Sequence, residues 1–246
     1  MIVETKGSVT EYNFRIRAQE ADVQKRLKLS SLIMLMQEAS MENALQLKVS
    51  VWDLSEQSWV LLRKEVQIIR APLLGEHIRI KTYPAGFDRV LAYRDYIVYD
   101  SEGQIIATAA STWTLMNLST RKIQRIPQNL DDIVFKGETL PLPESKLKLT
   151  QEVDQMYDYT VRMGDIDWNN HVNNIVLSKL MLQSAPVGHL QNLNISKFTF
   201  HIKSECLLGE EITITSASVD RTTHHQVKSK SDGRLIAMAI CEWEEK

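Results

Sequence analysis

The chain repeats itself, and that repetition limits its possible folds more than any other property of the sequence. With the first half shifted by 145 positions, Phe14-Arg15-Ile16-Arg17 falls on Tyr159-Thr160-Val161-Arg162 and Asp22 on Asp167. In the same register Leu32, Leu35 and Met36 fall on Leu177, Leu180 and Met181 without a gap. Further on, at a shift of 134, Leu73-Leu74-Gly75-Glu76 meets Leu207-Leu208-Gly209-Glu210. At a shift of 130, Gly103-Gln104-Ile105-Ile106-Ala107-Thr108-Ala109 meets Gly233-Arg234-Leu235-Ile236-Ala237-Met238-Ala239, and Trp113 meets Trp243. One such match is within reach of chance; three in chain order indicate a duplicated domain, since the period is far too long for a solenoid unit.

Each half reads as one strand, one dominant helix and about four further strands. Tyr12, Phe14 and Ile16 alternate with Asn13, Arg15 and Arg17, the period of a strand. Ser30-Ser31 is placed to cap a helix carrying Leu32, Ile33, Leu35, Met36 and Ala39 on one face. Strands are expected over 60–70, 78–83, 91–99 and 105–115, with turns at Leu74-Gly75-Glu76 and Asp100-Ser101-Glu102-Gly103. The second half repeats the order: a strand over 157–163, a helix over 174–183, then strands over 193–204, 211–219, 224–231 and 235–243. Between the halves, 127–150 holds Pro127, Pro141 and Pro143 with little periodicity and reads as a linker, leaving repeats at 1–126 and 151–246. A lone amphipathic helix must bury its stripe, and the concave face of a curved sheet is the surface on offer. The expected class is therefore α+β, two tandem repeats of an antiparallel sheet wrapped around a helix.

Composition narrows the function. A net charge of −2 argues against a nucleic-acid partner. No apolar run is long enough to span a bilayer, and the first residues carry neither a signal-peptide core nor transit-peptide character, so no membrane association and a cytosolic location are expected. Cys206 and Cys241 are too few for a disulfide framework and lack zinc spacing.

The chemistry concentrates in Gly164-Asp165-Ile166-Asp167-Trp168-Asn169-Asn170-His171-Val172-Asn173-Asn174, which runs straight into the second helix. Asp167, Asn169 and His171 alternate, so an extended backbone projects an acceptor, an amide and a titratable base from one face. Asn and Asp also favour caps and turns, so the stretch by itself fits a loop as well as a site. The first half separates the two. There Gln24 stands for Asn169, Arg26 for His171 and Ala71 for Glu205, and only Asp22 is kept. Fold-forming residues would be retained in both copies; the joint loss of amide, imidazole and carboxylate points to chemistry in the second repeat and binding in the first.

Asp167-Trp168-Asn169-Asn170-His171-Val172-Asn173-Asn174, followed by Glu205-Cys206, resembles the active-site pattern of acyl-ACP thioesterases of the plant FatA/FatB type and their bacterial relatives. Leu35-Met36-Gln37-Glu38-Ala39, Trp59-Val60-Leu61, Thr112-Trp113-Thr114-Leu115-Met116-Asn117 and 120–127 agree, so the resemblance spans about 10–245. It implies a double hotdog fold and release of a fatty acid from acyl carrier protein during fatty acid biosynthesis. It also implies no resident cofactor, the phosphopantetheine arriving with the substrate. The partners are then the acyl carrier protein and the acyl chain. A duplicated hotdog supplies its own pair, so a monomer is expected as well as a homodimer.

On this reading Asn169 positions or polarises the carbonyl, Glu205 serves as general base on water, His171 shares that role or holds the water, and Asp167 orients His171 or Asn169. Cys206 as nucleophile ranks second, because a carboxylate beside it disfavours its thiolate. Met34, Leu35 and Met36 are candidates for the acyl-tunnel wall; Arg121, Lys122 and Arg125 for contact with an acidic carrier. An acyl-CoA thioesterase, a hotdog hydratase or dehydratase, and a non-catalytic acyl sensor are the rival functions. His224-His225 makes a poor metal pair, since neighbours on a strand point to opposite faces.

Overall fold

A computed structural model describes residues 3–50, 54 and 56–246. They form two compact units, Met1–Pro143 and Glu144–Lys246. In the first unit the elements are β1 (Val3–Lys6), β2 (Val9–Arg15), α1 (Leu29–Gln46), β3 (Gln57–Ile68), β4 (His77–Phe87), β5 (Leu91–Tyr99) and β6 (Ile105–Asn117). In the second they are β7 (Gln155–Thr160), α2 (Asn174–Gln183), α3 (Val187–Asn192), β8 (Leu193–Ile202), β9 (Glu211–Val219), β10 (Thr222–Ser229) and β11 (Leu235–Glu245).

The order of strands confirms the duplication. The first unit reads β1-β2-β4-β5-β6-β3 and the second β7-β9-β10-β11-β8, so that β2 corresponds to β7, β4 to β9, β5 to β10, β6 to β11 and β3 to β8. Every pair inside a unit is antiparallel. Helices α1 and α2 bury their apolar stripes: Leu32, Ile33, Leu35, Met36 and Ala39 on α1, Leu177, Leu180 and Met181 on α2. These are two hotdog units in tandem, the α+β class expected.

Three features depart from the expected pattern. Helix α1 starts at Leu29, with Lys28 at its N-cap and no side-chain cap, so Ser30 and Ser31 lie in the first turn. Strand β1 and helix α3 carry too few residues to show a period. The stretch 127–150 is not a free linker. Leu130 is buried in a cluster with Ala44, Val49, Ala92 and Ile126. Phe135 packs on Tyr83 at 4.1 Å, and Leu140 N donates to Asp95 at 2.7 Å. Scattered apolar residues without a period anchored it, and that is why periodicity did not reveal it.

Helix α2 ends where Pro186 removes a backbone donor; Pro186 then stands at the N-cap of α3. The second helix is therefore ten residues against eighteen in the first. Among the described residues no helix is long and apolar enough to cross a membrane.

Candidate active site

The polar turn folds the same way in both units. Asp22 N donates to Arg26 O at 2.7 Å, and Asp167 N to His171 O at 2.8 Å. Lys25 N and Asn170 N donate back to Asp22 O and Asp167 O, each at 3.0 Å. Lys25 and Asn170 both sit at positive φ, 64° and 62°, where Asn is better tolerated than most residues. The loop is pinned to the β3–β4 or β8–β9 connection by Leu27 N to Pro72 O (2.8 Å) and Val172 N to Cys206 O (2.9 Å). In each, the aspartate accepts from the backbone two residues on: Gln24 N to Asp22 and Asn169 N to Asp167, both at 2.8 Å. That is an Asx turn. Asp167 therefore shapes the loop and aims Asn169 through its backbone.

The side chains at this shared frame differ. In the first unit Arg26 folds back on Asp22 in an ion pair of 3.1 Å. In the second, His171 turns to Glu205, with Nε2 3.2 Å from Oε2. This is ion-pair distance without the alignment of a hydrogen bond, and among the described residues Nε2 has no hydrogen-bond partner. The Asn169 amide oxygen is likewise buried and unpartnered. Buried polar atoms in folded proteins are almost always satisfied, and exceptions mark places where something else binds. The imidazole is mostly buried and the Glu205 carboxylate is 39 % exposed, so the pair stands between apolar packing and water. Asn173 caps α2 by accepting from Ile175 N at 2.9 Å, which fixes the loop to the helix.

Cys206 is brought beside this set by its backbone only. Its side chain is 2 % exposed. Burial, then the Glu210 carboxylate, push its thiol up to about 12, which leaves essentially no thiolate near neutrality. The like charge that opposes it is Glu210, not the adjacent Glu205.

Two positioning residues had no expectation attached. Arg234 donates to the Glu205 carbonyl at 2.9 Å and pairs with Glu210 at 2.8 Å. Glu210 in turn accepts from Leu207 N at 3.1 Å, as Glu76 accepts from Leu73 N at 2.9 Å. The repeated Leu-Leu-Gly-Glu carried that signal; the reach of Arg234 left none.

The binding candidates fall elsewhere. Leu35 and Met36 are 2 % and 0 % exposed and pack in the core of the first unit. Neither they nor Met34 line its cavity of about 80 Å³, which lies beside the later turns of α1 at Ser40, Met41 and Ala44 and is walled by Trp59, Phe87 and Trp113. Arg121, Lys122 and Arg125 are exposed on the segment that folds back along β6 through the Met116–Ile123 bridge. His224 accepts from Thr150 N and His225 is enclosed in a hydrogen-bond network; among the described residues no group of three His, Cys, Asp or Glu is placed to hold a metal ion.

Comparison with known proteins decides the family. The model of the acyl-ACP thioesterase N-terminal domain matches residues 7–134, and that of the acyl-ACP thioesterase C-terminal domain matches 148–245. The chain belongs to the acyl-ACP thioesterase family. This thioesterase-family chain is 25 % identical over 268 residues to a chloroplastic palmitoyl-acyl carrier protein thioesterase of Arabidopsis thaliana, covering 98 % of itself and 65 % of that protein. It is 26 % identical to a chloroplastic oleoyl-acyl carrier protein thioesterase of Coriandrum sativum, with coverages of 88 % and 66 %. It thus spans a little under two thirds of those relatives' length. Its fold matches the 12:0-ACP thioesterase from Umbellularia californica with a TM-score of 0.90 at 23 % identity, over 99 % of this chain and 100 % of that one. An acyl-ACP thioesterase from Bacteroides thetaiotaomicron matches at 0.86 and 22 % identity, over 96 % and 98 %.

Proposed function

We propose that the protein hydrolyses the thioester between a fatty acyl chain and acyl carrier protein, supplying free fatty acid during its biosynthesis. The observation that carries this is the His171–Glu205 pair on a loop frame whose twin holds an inert Arg26–Asp22 pair. Family membership supplies the substrate class; the named relatives act on palmitoyl, oleoyl and 12:0 chains.

Water attacks the thioester carbonyl carbon. Its proton passes to Glu205, directly or by way of His171, and the carbonyl oxygen gains negative charge as the C–O bond forms. The Asn169 amide donates to that oxygen; one such donor in a closed site is worth about 10²–10³ in rate. The C–S bond then breaks, and the phosphopantetheine thiolate recovers the proton from the base. The scheme uses no resident cofactor, since that arm arrives with the substrate. Asp167 holds the loop, and Arg234 with Glu210 holds the Glu205 backbone. Cys206 takes no part in it.

The first repeat binds the acyl chain and the second cuts it. An apolar cavity in the first unit supports the division; each methylene buried there contributes about 0.8 kcal/mol, so its depth selects length. Arg121, Lys122 and Arg125 are the positive groups offered to an acidic carrier. Two free, buried thiols suit a reducing compartment, and we place the protein in the cytosol.

The test is thiol release from acyl-ACPs of graded length, beside matched acyl-CoAs and a crotonyl-type thioester. Faster release from acyl-ACP supports the proposal. Preference for acyl-CoA reassigns the carrier. Hydration of the crotonyl group without free thiol, or binding without turnover, overturns it.

A further inference from the structure

The cavity of the first unit is apolar along most of its wall, and one charged side chain lines it. Arg94, on β5, lines it together with Ser40. Nη1 of Arg94 is fixed by Asn43 Oδ1 at 2.7 Å and Thr82 Oγ1 at 3.2 Å. Asn43 is itself held by Ser8 O and Thr10 Oγ1. Among the described residues Nε and Nη2, the edge of the guanidinium that grips a carboxylate in bidentate fashion, donate no hydrogen bond.

Across Ser111 from it Lys64, 2 % exposed, rests its ammonium 4.2 Å from the centre of the Tyr96 ring. The Tyr96 hydroxyl is buried near Ser40 and Ser111 but, among the described residues, meets none of its neighbours in full hydrogen-bond geometry. No carboxylate lies within ion-pair distance of either cation among the described residues. Asp95, the nearest in sequence, alternates to the other face of the strand and accepts from Leu140 N. Burial lowers both Lys64 and Arg94; burial raises the Tyr96 phenol, yet the two cations together with the Ser40 and Ser111 hydroxyls pull it down.

The second unit shows that the fold does not require this. Lys64 and Arg94 both pair with Ser111, as Phe198 and Thr223 both pair with Cys241. Tyr96 pairs with Ala109 as His225 pairs with Ala239. Phe198, Thr223 and His225 thus fill the same three places. They form an uncharged, satisfied set: His225 bonds Ser184 at 2.9 Å and Thr223 at 2.8 Å, and Thr223 accepts from Trp243 Nε1 at 2.9 Å. A buried lysine beside a half-buried arginine, with no carboxylate at ion-pair distance among the described residues, is costly to keep.

We infer that the Arg94 wall of this cavity is a carboxylate site, in which the Nε–Nη2 edge of Arg94, with Lys64 and the Tyr96 hydroxyl nearby, receives the terminal carboxylate of a short aliphatic chain. The carboxylate has two possible sources: a free fatty acid entering head first, or an acyl group whose far end is itself carboxylated. The second rests on the thioesterase reading; the site does not.

Isothermal titration of the whole chain with octanoate and with octanol tests the site directly. Octanoate binds at least tenfold more tightly, and Arg94→Met removes the difference. Lys64→Met, which puts an apolar residue of similar length in the core and carries little folding risk, shrinks the difference without abolishing it. Equal binding of the two probes, or a preference that survives both substitutions, overturns the inference. Turnover separates the sources. If ω-carboxylated acyl thioesters outrun methyl-ended ones of equal length, and Arg94→Met reverses the order, the substrate carries the carboxylate. If instead octanoate inhibits hydrolysis of a plain thioester and Arg94→Met relieves it, the product does. Carboxylate binding through Arg94 with no hydrolysis at all keeps the site and sinks the thioesterase reading; hydrolysis with no carboxylate preference does the reverse.

Discussion

Asp22 and Asp167 accept the same backbone hydrogen bond in the two loops. An acidic residue at the head of a catalytic-looking turn is thereby assigned to the turn itself. Asparagine offers the same acceptor, so Asp167→Asn keeps turnover within about tenfold. Asp167→Ala removes the acceptor and costs about 1 kcal/mol, as one lost hydrogen bond does. Asp22→Ala loses the Arg26 contacts as well, so its stability cost is larger, with turnover kept. Thermal melts read beside kcat check all three; an Asp167→Asn enzyme as dead as one lacking His171 would make the charge itself essential. The alternation of Asp167, Asn169 and His171 was legible because a two-residue period is a local signal. Glu205 had no local signal and emerged only from the register of the repeat and the family resemblance. Arg234 had neither.

At the scale of elements, strands β5 and β9 and helix α2 fall where the periodicity put them, because each has a full apolar face and a turn at both ends. Elements β1 and α3 were too short to show a period, and the cap expected at Ser30-Ser31 falls on Lys28, two residues before Ser30. The polar contact that ties α2 to its sheet could not be read at all. Trp243, Thr223, His225 and Ser184 form one chain of hydrogen bonds, from β11 through β10 to the C-cap of α2. Burial holds the His225 imidazole neutral, its pKa pushed down to about 3. The unfolded chain takes up that proton below the ordinary pKa near 6.5 while the folded chain does not, so this contribution is complete at neutral pH. It is lost as pH falls from about 6.5 toward 3, at up to about 1.4 kcal/mol per pH unit. Urea unfolding at stepped pH, with His225→Asn as reference, checks the sign: the wild type loses stability relative to the variant on acidification. A constant gap between them would show that His225 is not the group titrating.

Across the whole molecule, the proposed function divides labour between two copies of one design. Ala44→Phe, in the first unit, fills part of the cavity that Ala44 lines. It is expected to move the preferred acyl length downward, by roughly tenfold in relative kcat/KM for every two methylenes excluded, while kcat on the shortest acyl-ACP stays within a few fold. A panel of acyl-ACPs of graded length reads this; an unchanged length profile would place the chain elsewhere. The duplication was legible from three aligned stretches. The cavity was not, because Ser40, Met41, Trp59, Phe87, Arg94 and Trp113 meet only once α1 lies on its sheet.

The most direct measurement is steady-state thiol release from an acyl-ACP by four single variants of the full chain: His171→Ala, Glu205→Ala, Cys206→Ala and Arg26→Ala. A second repeat that cuts with water predicts a fall of about 10²–10⁴ for the first two, as loss of a general base costs, and less than tenfold for the other two. Loss of activity in Cys206→Ala with Glu205→Ala still active would contradict it, and so would loss in Arg26→Ala with His171→Ala intact.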